Sequence, residues 1–171
     1  MPAPLEYKPL YRDSIIYPEI EKWLNTRQMS MKRFSELIGV SYNHTVRILH
    51  GYNEPRMNIV RKILKVTGLS FENAFCRNIP LKCQRHVFCY RQTVNHNRKW
   101  KIYWPNFEKL SKERNLRWDD IAMMVDVHGP YVKRMLINEN GVEPNMSLYF
   151  IKKFLEATND TFEHLFALPE E

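Results

Sequence analysis

Ser30-Met31-Lys32-Arg33-Phe34-Ser35-Glu36-Leu37-Ile38-Gly39-Val40-Ser41-Tyr42-Asn43-His44-Thr45-Val46-Arg47-Ile48-Leu49-His50-Gly51 reads as two short helices joined by a tight turn. Ser30 begins the first, and Phe34, Leu37 and Ile38 fall at helical spacing as its buried stripe. Gly39 ends it, because glycine accepts the left-handed conformation of a helix C-terminus at no steric cost. Ser41 is expected to cap the next helix by accepting a bond from an orphan backbone N–H. Thr45, Ile48 and Leu49 then face inward, and Gly51 closes the segment. Upstream, Pro18 suits the first turn of another helix, where its missing N–H costs nothing, and Ile20, Trp23 and Leu24 supply the apolar side. Downstream, Asn58 to Thr67 reads as a fourth helix with Ile59, Ile63, Leu64 and Val66 inward. Ser70 opens a fifth, short one that covers the bundle with Phe71 and Phe75.

The same order of residues returns later in the chain. Tyr17-Pro18-Glu19-Ile20-Glu21-Lys22-Trp23 aligns with Trp104-Pro105-Asn106-Phe107-Glu108-Lys109-Leu110, a shift of 87. Without a gap, Arg27 meets Arg114, Phe34 meets Ile121, Val40 meets Val127, Arg47 meets Arg134 and Leu49 meets Leu136. After a short insertion, Pro55-Arg56-Met57 matches Pro144-Asn145-Met146. Thr67-Gly68-Leu69-Ser70-Phe71-Glu72-Asn73-Ala74-Phe75 matches Thr158-Asn159-Asp160-Thr161-Phe162-Glu163-His164-Leu165-Phe166. Two copies of a helical unit of about 60 residues follow, each large enough to fold with little stability to spare.

Length and composition agree with this. The chain has 171 residues, 44% of them hydrophobic and 26% charged, which is globular rather than disordered composition. No apolar run reaches the roughly 18 residues that a membrane-spanning helix needs. The first residues lack a charged-then-apolar export layout, and Cys76, Cys83 and Cys89 form a sparse, odd set, so reduced thiols in a cytoplasmic, nucleoid-associated protein are expected. The net charge of +7 is unevenly placed: residues 1–75 carry +4, residues 76–103 carry seven Lys/Arg and no acid, and residues 104–171 carry −4. A basic front attracts phosphates through long-range field and counterion release; a solvated, merely soluble loop is the plainer alternative for 76–103.

Helix, Gly39-Val40-Ser41 turn, helix and then Gly51-Tyr52-Asn53-Glu54-Pro55 resembles the helix-turn-helix of the Cro/lambda-repressor-like family, also called the XRE family. Thr67-Gly68-Leu69-Ser70 is similar to that family's closing turn, and the two copies cover about 120 of the 171 residues. The resemblance implies a second motif helix in the major groove, with its first residues on base edges. Carried over, Tyr42, Asn43 and Arg47 face bases, with His44 and Val46 beside them. Asparagine pairs with adenine N6/N7 and arginine with guanine O6/N7. Lys32, Ser41, Tyr52 and Asn53 fall by phosphates, joined by the connector's Arg77, Lys82, Arg85, Arg91, Arg98 and Lys99. The plainer alternative makes Arg47 a solvated residue and Asn43 an ordinary first-turn residue.

Departures from the family pattern matter. Met31 and Trp118 stand where the family usually has a phosphate-touching glutamine, and Leu49 replaces a common acid. In the second copy Asp126 replaces the turn glycine, His128-Gly129 replaces Ser41-Tyr42, and Pro130 falls at the Asn43 position. Gly129 and Pro130 offer no side-chain donors to bases, and Glu139 and Glu143 in the longer loop would repel a phosphate backbone. Tyr131, Lys133 and Arg134 could still bind phosphate. The second copy is therefore expected to have moved from base reading toward self-association or protein contact.

Other chemistry is sparse. Alternation through residues 84–104, with Asn95-His96-Asn97 as a turn, is compatible with a short β-hairpin as well as with a plain linker. The spacing of Cys76, Cys83, Cys89, His86 and His96 matches no common zinc site. No phosphate loop, nucleophile elbow or zinc-protease motif occurs, so no enzyme, metal or cofactor is expected. Asp119-Asp120 reads as a helix start. The expectation is thus an all-α protein of two lambda-repressor-like bundles: a DNA-reading domain over residues 1–75, a basic connector over 76–103 and a divergent domain over 104–171. Its expected partner is double-stranded DNA, in a transcriptional regulator (repressor) of phage or mobile-element type, alone or as a homodimer. The alternative is a protein-binding inhibitor or adaptor on the same scaffold, such as a phage anti-defence (anti-CRISPR) protein, whose partner docks on residues 104–171.

Overall fold

The computed structural model describes residues 15–75, 101–137 and 140–170, and these are all-α. Five helices come from the first copy: α1 (Pro18–Thr26), α2 (Met31–Ile38), α3 (Tyr42–Leu49), α4 (Met57–Thr67) and α5 (Phe71–Phe75). Five come from the second: α6 (Pro105–Glu113), α7 (Trp118–Met124), α8 (Gly129–Leu136), α9 (Leu148–Thr158) and α10 (Phe162–Leu165). No strand forms among the described residues. Most of the expected hairpin lies outside them; its last residues, Ile102 and Trp104, are buried.

Local chemistry sets the helix ends. Pro18 and Pro105 occupy first turns. Ser30 Oγ accepts from Arg33 N–H at 3.2 Å, as an N-cap should. Gly39 ends α2 in the left-handed region at φ 61°, and Asp126 takes its place after α7 at φ 55°. Gln28 and Asn115, and Gly68 and Asn159, are likewise left-handed pairs at matching positions of the two copies. An aspartate or asparagine carries that conformation at modest cost, so losing the turn glycine does not break the copy. Backbone bonds repeat as well: Ile16 N–H donates to Leu49 O and Tyr103 N–H to Leu136 O, each at 2.8 Å. Asp120 accepts from Arg117 N–H at 2.8 Å, which confirms Asp119-Asp120 as a helix start.

The chain divides into two compact units, Met1–Asn53 and Glu54–Glu171. This boundary differs from the expected ones at 75 and 104, which follow the repeat. In the first unit Ile20, Trp23, Leu24, Phe34, Ile38, Ile48 and Leu49 are buried, with the Trp23 and Phe34 rings 5.9 Å apart. Leu37, expected inside, is 42% exposed. Leu49 is fully buried and belongs to the core.

The second unit joins α4 and α5 to the whole second copy. Its centre is Trp104, Phe107, Phe154 and Phe166, all fully buried; Trp104 meets Phe166 edge-on at 5.0 Å and Phe107 meets Phe154 at 5.1 Å. On α4, Met57, Ile59, Val60 and Ile63 are buried, while Leu64 and Val66, expected there, are half-buried.

α4 and α9 pair about a local two-fold. The antiparallel bridge joins Arg56 to Ser147, the residues preceding the two helices. Met57 N–H donates to Met146 O at 2.8 Å and Leu148 N–H to Pro55 O at 2.9 Å. Asn145 Oδ1 accepts from Asn58 N–H at 3.1 Å, and Glu54 Oε1 accepts from Tyr149 N–H. Phe71 stacks on Phe162 with centroids 4.6 Å apart and planes 10° from parallel. A shift of 91 residues turns each of these bonds into its reciprocal and relates Arg56 to Ser147 and Phe71 to Phe162. The helices therefore equate Met57 with Leu148, not with Met146 as the Pro-x-Met match suggests.

Glu54 supplies a pH-dependent element of this pairing. Burial pushes its carboxyl above the ordinary value of 4.5, outweighing the opposing pull of Tyr149 N–H, the Ser147 hydroxyl, Arg56 and Lys152. A raised folded-state pKa gives stability that is complete below pH 4.5 and lost as pH rises through the folded value. Glu54→Gln keeps an acceptor for Tyr149 N–H and removes the titration. Urea midpoints at pH 4 and pH 7 are expected to show little difference at the lower pH and a more stable glutamine variant at the higher one.

Candidate nucleic-acid interface

α2 and α3, joined through Gly39, Val40 and Ser41, form a compact helix-turn-helix in the first unit. Val40 N–H returns to Ser35 O at 3.0 Å, which holds the turn. Thr45 Oγ1 and N–H both donate to Ser41 O, at 3.1 and 2.9 Å, and fix the start of α3. The Ser41 side chain makes no cap bond, contrary to expectation; its backbone carbonyl anchors the helix instead.

With Thr45, Val46, Ile48 and Leu49 buried, α3 presents its other face to solvent. Tyr42, Asn43, His44 and Arg47 are all exposed there, Tyr42 at 51%. Asn43 and Arg47 are four residues apart and His44 and Arg47 three, so they are neighbours on one face. No acid lies on α3. Val46 does not join them: at 8% exposure it belongs to the core, three residues before Leu49, and is removed from the base-reading set.

The loop after α3 positions Arg47. Tyr52 and Asn53 N–H groups donate to Arg47 O at 2.8 and 3.1 Å. Arg47 Nε donates to Asn53 Oδ1 at 3.3 Å, which orients the guanidinium from one side. Tyr52 and Asn53 are half-buried and support the loop end of α3. Lys32 is exposed in the first turn of α2, and Ser41 is exposed at the turn. Arg77, Lys82, Arg85, Arg91, Arg98 and Lys99 lie outside the described residues.

In the second copy the matching face is built differently. Gly129 is buried, and a Cβ there would lie 3.0 Å from Asp119 Oδ1, so a side chain at this position is crowded. Pro130 is exposed at the Asn43 position, Tyr131 is 37% exposed at the His44 position, and Arg134 is exposed at the Arg47 position. Lys133 is half-buried where copy one has Val46.

Glu143 is not the free repelling acid expected from the loop sequence. It accepts two bonds of 3.0 Å from Arg61 Nε and one of 2.8 Å from Trp104 Nε1. Arg61 also donates to Phe166 O and lies 5.1 Å from the Phe162 ring centroid. Sequence reading missed this network because its members are 82 and 39 residues apart. It also missed the capping roles of Glu54 and Asn145, which the 91-residue shift relates to one another.

Among the described residues no group of three or more His, Cys, Asp or Glu side chains is placed to hold a metal; the cysteines and His86 and His96 lie outside them. No described helix is long and apolar enough to cross a membrane. Comparison with protein-family models, curated proteins and solved structures returns no match to this chain.

Proposed function

We propose that this chain is a sequence-specific double-stranded DNA-binding protein of the Cro/lambda-repressor-like helix-turn-helix type, acting as a transcriptional repressor of phage or mobile-element type. The observation that carries the reading is the exposed face of α3, where Tyr42, Asn43, His44 and Arg47 stand together while the opposite face is buried. An amide and a guanidinium on one helix face supply the two commonest direct base-edge pairings. Lys32 and the basic residues 76–103 supply phosphate affinity. Selection from a randomised duplex library at near-physiological salt tests this: a defined motif is expected, and binding that enriches no sequence and only weakens with salt contradicts it.

A second reading, a protein-binding inhibitor or adaptor, has one observation in its favour. Beside α8 a groove of about 640 Å³ is lined by Tyr131, Tyr149 and Phe150 together with Arg134, Glu54 and Arg56. Base reading in this copy is disfavoured by Gly129 and Pro130. Lys133→Ala with Arg134→Ala is therefore expected to change DNA affinity by no more than about twofold, the scale of an ordinary surface substitution. The slope of log K against log salt should also stay unchanged; a fall of about 1–2 would place these residues on phosphates.

A further inference from the structure

We propose that the chain binds duplex DNA as a single chain, on a target without two-fold symmetry. This rests on the DNA-reading proposal and adds the class of target. In an isologous dimer a surface pairs with itself, so every contact occurs twice with its roles exchanged. The α4–α9 pairing has that form inside one chain. Met57 N–H to Met146 O is matched by Leu148 N–H to Pro55 O, and Asn145 capping α4 is matched by Glu54 capping α9. Phe71 and Phe162, equivalent residues, stack on each other.

The surface is thereby closed. Met57, Leu148, Phe71 and Phe162 are all buried, and the bridge donors and acceptors are satisfied within the chain. A second chain finds no open copy of this surface to pair with. A palindrome reader needs two equal reading helices, and this route to a second α3 is shut.

The chemistry of the reading faces breaks the symmetry that the pairing keeps. Tyr42, Asn43 and His44 in α3 correspond to Gly129, Pro130 and Tyr131 in α8. Only α3 carries the amide. The information read from the bases is therefore one-sided.

The test uses the full-length chain. The motif from library selection is placed once in a duplex, and native mass spectrometry counts chains bound. One chain per duplex and a motif with no dyad are expected. A second duplex carries the motif and its reverse complement as an inverted repeat, at a series of spacings. Apparent affinity should rise by about twofold at most, the counting gain for two equal sites. Two chains on the single-motif duplex, a palindromic motif, or a gain of about 100-fold at one spacing would overturn single-chain binding while leaving DNA reading in place. Failure to enrich any motif would overturn the DNA reading and this inference with it.

Discussion

On the proposed DNA-reading function, Asn43→Ala combined with Arg47→Ala is expected to abolish sequence selectivity while leaving the protein folded. Each good bidentate pairing to a base contributes about 1–3 kcal/mol of discrimination. Loss of both removes about 2–6 kcal/mol, a fall of roughly 30-fold to 10⁴-fold in affinity for the selected motif. Binding to unrelated duplex should change much less, because the variant leaves untouched Lys32 and the connector cations, to which the proposal assigns the non-specific term. Both side chains are exposed, so the thermal midpoint should stay close to wild type. Competition titrations of motif against scrambled duplex separate the two effects. An unchanged preference for the motif would move base reading off α3, and retention of a protein-inhibition activity by the same variant would favour the inhibitor reading.

Glu143→Ala is expected to give the largest loss of stability. The Glu143 and Arg61 side chains are 19% and 25% exposed, so the pair is largely withdrawn from water. Removing one member of such a pair leaves the other charge uncompensated, typically costing about 3–5 kcal/mol. Trp104 Nε1 loses its acceptor at the same time, in the centre of the aromatic cluster. For a chain of this size the thermal midpoint should fall by about 10 °C. Glu143→Gln retains an acceptor for Trp104 and should fall less. Equal losses in the two variants would assign the effect to charge alone, and no loss in either would remove the network from the stability of the second unit.

The helices and their ends were largely legible because they depend on local chemistry and the repeat displayed that chemistry twice. Pro18 with Pro105, and Gly39 with Asp126, mark the same points in both copies. The solvent-facing side of α3 was legible for Tyr42, Asn43, His44 and Arg47, which are all exposed. Val46 was misplaced although its spacing to Leu49 already puts it on the inward side of α3. The insertion was misregistered because Pro144 and Met146 imitate Pro55 and Met57; helix geometry instead fixes the 91-residue shift through Arg56 and Ser147. The division at Asn53 was not legible, since repeat boundaries record similarity and compact units record contacts. Arg61 pairing with Glu143, and Glu54 with Tyr149, required partners that no local pattern identifies.

The pairing of α4 with α9 also dictates an order of events during synthesis. The bonds that complete the second unit join residues 82 to 105 positions apart in the chain. On the ribosome, Met57 and Phe71 emerge long before Leu148 and Phe162 exist to cover them. Such contacts form late, and the waiting apolar surface is the part of a nascent chain most open to aggregation and to chaperones. The first unit has no such delay, since Ile16 and Leu49 close it with residues already made. α3 thus takes shape early, and the second unit becomes secure only once the second copy has been made.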